Sequence, residues 1–187
     1  MYEPDAQKSG AMLRVWDIFV RLFHWSLVAG MAAAWFTSSI RSETHQWIGL
    51  AVAALVIARI VWGFVGKGNA RFAGFIKGPI TVTRYLVDIV RGSERRYIGH
   101  NPAGGAMIVA LLLCILATAF TGWLMTTDAY YGDDTMQFTH SAFAYAVVGL
   151  IILHIAGVAL ASFRHRENLP RAMITGLKRG PAGDDAV

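Results

Sequence analysis

Four histidines lie within or at the edge of long apolar runs: His24, His45, His140 and His154. An ionisable ring in such a run is costly and faces the protein interior by default. Neutral imidazole can offer one ring nitrogen to a metal while the other donates a hydrogen bond. His140 and His154 are fourteen residues apart in one uninterrupted apolar stretch. That is almost four helical turns, so on a helix the two rings share a face, about 21 Å apart along the axis. The separation is about two-thirds of the hydrocarbon thickness of a bilayer. Metal ligation at two depths of a membrane is the chemistry this spacing suggests.

The elements that position these rings are membrane spans. Of the 187 residues, 55% are hydrophobic and 16% charged, well below the ~25% charge usual in soluble domains, and the mean hydropathy is +0.45. Four runs, 18–40, 46–65, 106–125 and 138–163, are each near or above the ~20 residues that cross a bilayer. The first is too long for a signal-peptide core and follows a mixed-charge segment, so it is expected to stay in the protein. The expected fold class is all-α: a single integral-membrane four-helix bundle over residues 1–187, with a connection 66–105 and a tail 164–187.

Orientation follows from lysine and arginine. The connection 66–105 holds Lys67, Arg71, Lys77, Arg84, Arg91, Arg95 and Arg96, and the tail holds Arg164, Arg166, Arg171, Lys178 and Arg179. Lys8 and Arg14 precede the first run. The two opposite loops hold only Arg41 in one, and Asp128, Asp133 and Asp134 in the other. The positive-inside rule places both termini and the long connection in the cytoplasm. The net charge of +5 is then a flank facing anionic lipid rather than a nucleic-acid footprint.

With that orientation, His45 and His140 open their spans at the outer face. His24 lies sixteen residues before Ile40, and His154 sixteen residues after Phe138, so these two share an inner depth. The pairs are His45 with His140 and His24 with His154. Two pairs ~20 Å apart cannot converge on one zinc or copper ion, whose ligands sit ~2 Å from the metal. They suit two bis-histidine haems stacked across the membrane. Cys114 is the only cysteine and no C-x-x-C-H occurs, so any haem would be non-covalent. Cys114 itself reads as core packing.

Other residues share this geometry. Arg59, fourteen residues after His45, reaches the inner depth on the same helix face. It would pair with an inner haem propionate or a quinone headgroup, or else snorkel to the nearby surface. Gly49, four residues after His45, would leave room for a flat haem ring or serve plain helix contact. His100 opens a turn in which Asn101 reads as a helix N-cap and Pro102 as the first helical residue. It reads first as a surface-loop histidine, and second as support for a quinone or haem edge. His165 reads as an interfacial flank. Residues 79–90 look like a short amphipathic helix on the inner membrane surface, or a docking element. The acidic loop 128–134 reads as an ordinary solvated loop, with docking of a basic partner as the second reading.

Phe23-His24-Trp25, His45 with Arg59, Arg59-x-x-Trp62, the His100-Asn101-Pro102 turn and the His140–His154 pair together resemble the bacterial cytochrome b561 family. That family shares its fold with the b-type cytochrome subunit of nickel–iron hydrogenases. The resemblance covers nearly the whole chain. It implies two b haems ligated by the same four histidines, and electron transfer between the quinone pool and a redox partner. That partner would be periplasmic: a cytochrome c, or a dehydrogenase or hydrogenase. An alternative in the same family is a self-contained superoxide:quinone oxidoreductase, against which the acidic outer loops argue. A non-redox metal transporter or scaffold would bind no haem. Partner, quinone type, direction of electron flow, haem potentials and oligomeric state are not readable from the chain.

Overall fold

A computed structural model describes residues 11–39, 43–183, 185 and 186. Lys8, Ile40 and Arg41, which entered the orientation and depth arguments, lie outside the described residues. Four helices are long and apolar enough to cross a membrane: α1 (Ile18–Thr37), α2 (Glu43–Val65), α5 (Pro102–Leu124) and α6 (Asp134–Arg164). Between α2 and α5 come a 3-10 turn (Gly68–Ala70), α3 (Phe72–Phe75) and α4 (Pro79–Arg91), and α7 (Leu169–Thr175) follows α6.

Local chemistry sets the helix starts. The Asp17 carboxylate accepts from Val20 N at 2.7 Å, Asn101 from Gly104 N at 2.6 Å, and Asp133 from Met136 N at 2.6 Å. Each satisfies an amide that the first helical turn leaves unpaired. Pro102 takes the first position of α5, where its missing N–H costs nothing. Caps draw α5 and α6 back to 102 and 134, four residues before their apolar runs begin, and α2 starts at 43, three residues before its own. Asp133 is thus a helix cap and Asp134 lies in the first turn of α6, which gives part of the acidic loop a structural task. At 31 residues α6 is about 46 Å long, well beyond the ~30 Å hydrocarbon core.

The helices pack in sequence order: α1 on α2, α2 on α5, and α5 on α6. Neither α1 nor α2 lies closely along α6. The core that joins them is small: Val52 and Val56 of α2, Leu112 and Ile115 of α5, and Val147 of α6. Most other side chains on the four helices are exposed or half-buried, as expected of surfaces that lipid covers.

The described residues before α1 and after α6 gather with the long connection at one end, called here the terminus end; the short connections form the other. The fold is not purely helical there. β1 (Met12–Arg14) pairs antiparallel with β2 (Leu177–Arg179), Met12 opposite Arg179. Two three-residue strands are too short to carry a readable period, so sequence analysis misses them. Val15, Trp16, Ile98 and Ala172 form a second small core under this clasp. Arg96 knits it together. Its guanidinium donates to both oxygens of Glu167, to Asp185 and to the carbonyls of Arg179 and Gly180. Lys178 sits 3.3 Å from Glu167 and donates to Tyr97 O at 3.0 Å. Burial opposes the charge on Glu167 and Asp185, but both are held below the usual carboxylate range, Glu167 by the hydrogen bond from Arg96 and the charge of Lys178, Asp185 by the Ala182 amide and then Arg96.

The segment 79–90 is helical, as expected. It docks through buried Tyr85 and leaves Ile80, Leu86, Val87 and Val90 exposed beside Arg84 and Arg91. Gly92 ends α4 with φ +70°, a left-handed cap that favours glycine.

Candidate functional site

At the short-connection end, the first turn of α2 carries His45 and the second turn of α6 carries His140. Their ring centroids are 6.3 Å apart and the ring planes stand at 88°. His45 Nδ1 lies 3.1 Å from Ala34 O and 3.3 Å from Thr37 Oγ1, both on α1. His140 Nδ1 lies 2.9 Å from Thr118 O and 3.2 Å from Thr121 Oγ1, both on α5. A carbonyl only accepts, so each Nδ1 must carry the proton and donate. The threonines agree. Thr37 spends its hydroxyl proton on Ala33 O at 2.8 Å, and Thr121 on Ala117 O at 2.8 Å, leaving each oxygen free to accept from imidazole. Both rings therefore keep an unprotonated Nε2, the form that binds a metal.

The ring separation suits one metal held between them. Two metal–imidazole bonds of ~2 Å plus the inner half of each ring span ~6 Å. Gly122 on α5 makes room for the pair: a Cβ there would meet His140 Cε1 at 3.0 Å. Around Gly49 no atom lies within 4 Å of where a Cβ would be. Among the described residues, the space beside this face of α2 is open.

At the terminus end, His24 of α1 and His154 of α6 are close enough to interact electrostatically. His24 stands edge-on to Trp25, centroids 5.1 Å apart, and its Nδ1 is buried without a hydrogen-bond partner. Arg59 is 3% exposed and does not snorkel. Its Nη2 donates to Ala70 O at 3.2 Å, and its guanidinium lies 5.2 Å over the Phe72 ring. The turn and α3 that follow α2 fold back over it, which an axis-height argument could not foresee. Arg59 Nη1 is buried and unpaired. Asp17 ties this end together: besides capping α1, it accepts from Trp62 Nε1 at 3.1 Å.

His100 is not a surface-loop histidine. It sits between Trp16 and Phe75, 4.5 Å from each ring centroid, with Nδ1 buried and unpaired. Burial, then the charges of Arg59, Lys178 and His154, push its pKa down to about 3. Its ring is therefore neutral at physiological pH. The sequence misleads because its turn, rich in glycine and proline, is covered from both sides by distant segments. His165 caps the end of α6 and is half-buried, compatible with a flank position. Cys114 packs beside the central core, with Sγ 3.6 Å from Phe143 O.

Between the two ends the helix faces repeat. On α2 the face reads His45, Val52, Val56, Arg59; on α6, at the same spacing, His140, Val147, Ile151, His154. Val56 and Val147 are fully buried and separate the two levels. Because α6 packs mainly on α5, the His45–His140 pair could bracket a flat group between α2 and α6. Among the described residues no three His, Cys, Asp or Glu side chains converge. Two histidines per level leave the remaining coordination positions to a group the protein does not supply, as a porphyrin would. Thr37, Thr121 and Gly122 escape sequence analysis. A threonine within a helix bonds its own preceding turn, and a span glycine has many uses.

A family model described as prokaryotic cytochrome b561 matches residues 15–176. A protein named probable Ni/Fe-hydrogenase B-type cytochrome subunit from Bradyrhizobium diazoefficiens is 24% identical, with 80% of this chain and 70% of that protein covered. One of the same name from Rhizobium leguminosarum bv. viciae is 23% identical, covering 80% of this chain and 73% of that protein.

Proposed function

The chain belongs to the prokaryotic cytochrome b561 family, and from that membership we propose that it is a dihaem membrane cytochrome that passes electrons between quinone and a redox partner. The observation that carries the reading is the His45–His140 pair: two rings 6.3 Å apart, each with Nδ1 donating to a backbone carbonyl, the tautomer whose Nε2 lone pair can bind iron. His45 and His140 would hold one haem b. His24 and His154 would hold the second. Haem iron supplies one-electron redox chemistry when bound. The protein's part is to fix the ligand tautomers, to keep the two levels apart with Val56 and Val147, and to shield them from water.

The unpaired atoms at the terminus end support a polar guest there. A buried donor without a partner costs about 1–3 kcal/mol, and Arg59 Nη1 is such a donor. A carboxylate on the second haem, or a quinone carbonyl, would satisfy it. His100 Nδ1, unpaired in the same region, is a second candidate contact. The basic connection and tail favour the cytoplasm for this end, and a partner at the periplasmic face of the other end. The two relatives named as hydrogenase subunits favour an oxidoreductase partner over a cytochrome c.

Haem counting on protein purified in mild detergent tests the proposal. Two b haems per chain by pyridine haemochrome are expected, with one lost in His140→Ala. A wild-type chain free of haem after expression with adequate haem supply would overturn it.

A further inference from the structure

Resting on the dihaem reading, we propose that Thr37 and Thr121 are positioning residues that set the redox potential of the haem between His45 and His140. Each histidine belongs to the later helix of a hairpin, and its supporting threonine to the earlier one: α1 supports His45 and α5 supports His140. Each hydroxyl proton is already committed to a carbonyl one turn back. Each oxygen therefore accepts a share of the Nδ1 proton together with a backbone carbonyl. Drawing that proton outward makes the imidazole a stronger electron donor through Nε2. Stronger donation favours ferric over ferrous iron and lowers the potential. The same two anchors per ring also fix ring rotation, which holds the planes at 88°. His24 Nδ1, by contrast, has no acceptor, so the second haem lacks this device at one ligand at least.

Thr37→Val and Thr121→Val keep size and β-branching but remove the hydroxyl. In potentiometric titrations of the purified holoprotein, the haem that His140→Ala removes should shift to higher potential in each Val variant, and further in the double variant. The other haem should hold its wild-type value. Thr→Ser at either position should restore the potential. The low-spin ferric resonance of the affected haem should move as well, because its anisotropy depends on the angle between the ligand planes. Unchanged potentials in both Val variants, or equal shifts of both haems, would overturn the proposal. Should a Val variant lose that haem, the Ser variant decides. Retention by Ser assigns the role to the hydroxyl; loss in both shows that the position tolerates neither change, which makes its role structural and rejects the proposal. A haem-free wild type would instead remove the dihaem reading itself.

Discussion

The two ends of the bundle handle their polar atoms in opposite ways. At the short-connection end, His45 and His140 each have two oxygen acceptors at Nδ1, and every one of those acceptors comes from the protein. At the terminus end, His24 Nδ1, Arg59 Nη1 and His100 Nδ1 are buried without partners. Yet that end has the denser polar architecture, with Arg96, Glu167, Lys178 and Asp185 in one network. The contrast teaches that charge density and completeness are separate properties. The four charged side chains of that network find their partners within it, while those three atoms have none among the described residues. Buried unpaired donors are rare enough in folded proteins to mark such places.

The sharpest way to break the comparison is to remove one ligand from each end. His154→Ala should abolish one haem and leave the other at full amount, as counted by pyridine haemochrome; loss of both would show that the levels are not independent. Next in size is Arg96→Ala. It leaves Glu167 and Asp185 buried without their main partner, which should cost about 3 kcal/mol of stability. Thermal melting in detergent should show it, with the spectrum of the His45–His140 haem unchanged before the transition.

Acid should act on the same end. Glu167 and Asp185 are held below their ordinary values, so their contribution is complete above the unfolded-state pKa and is lost as pH falls through the folded one. Melting temperature should begin to decline below about 6.5, where the unfolded chain protonates His100 and the folded one does not, and more steeply below about 4.5, the ordinary value for Glu167. In Arg96→Ala that acid-dependent loss should shrink. A decline of equal size in the variant would place the acid sensitivity elsewhere.

The smallest effect concerns two glycines. Gly122→Ala would bring a methyl to 3.0 Å from His140 Cε1 and tilt the ring, so the absorption band of that haem should shift slightly. Gly49→Ala meets open space in the protein alone. Lower haem occupancy in Gly49→Ala at unchanged expression would mean that a ring fills that space; normal occupancy would mean the ring lies elsewhere.

The four long helices were legible because each apolar run is long enough to cross a membrane, and position along a helix converts directly to depth. The same arithmetic brings His45 to His140. Asn101-Pro102 was legible because capping is local. What escaped depends on distant segments. His100 is covered by Trp16 and Phe75, which lie far from it in sequence. Arg59 is roofed by a turn that folds back over it. The strands of the clasp are too short to show a period, and Arg96 looks like one more positive charge in a basic connection. Thr37 and Thr121 look like ordinary helical threonines until the histidines opposite them are placed.

The clasp also has a consequence for how the protein is made. β1 leaves the ribosome before any of the four long helices, and β2 only after all of them. β1 must wait, unpaired, while every span enters the membrane. Arg96 likewise waits for Glu167, which lies beyond the last span. The end of the bundle therefore seals only after membrane insertion is complete. A chain interrupted between α6 and β2 would carry four inserted helices with an open end, a state that a quality-control protease could tell from the finished protein.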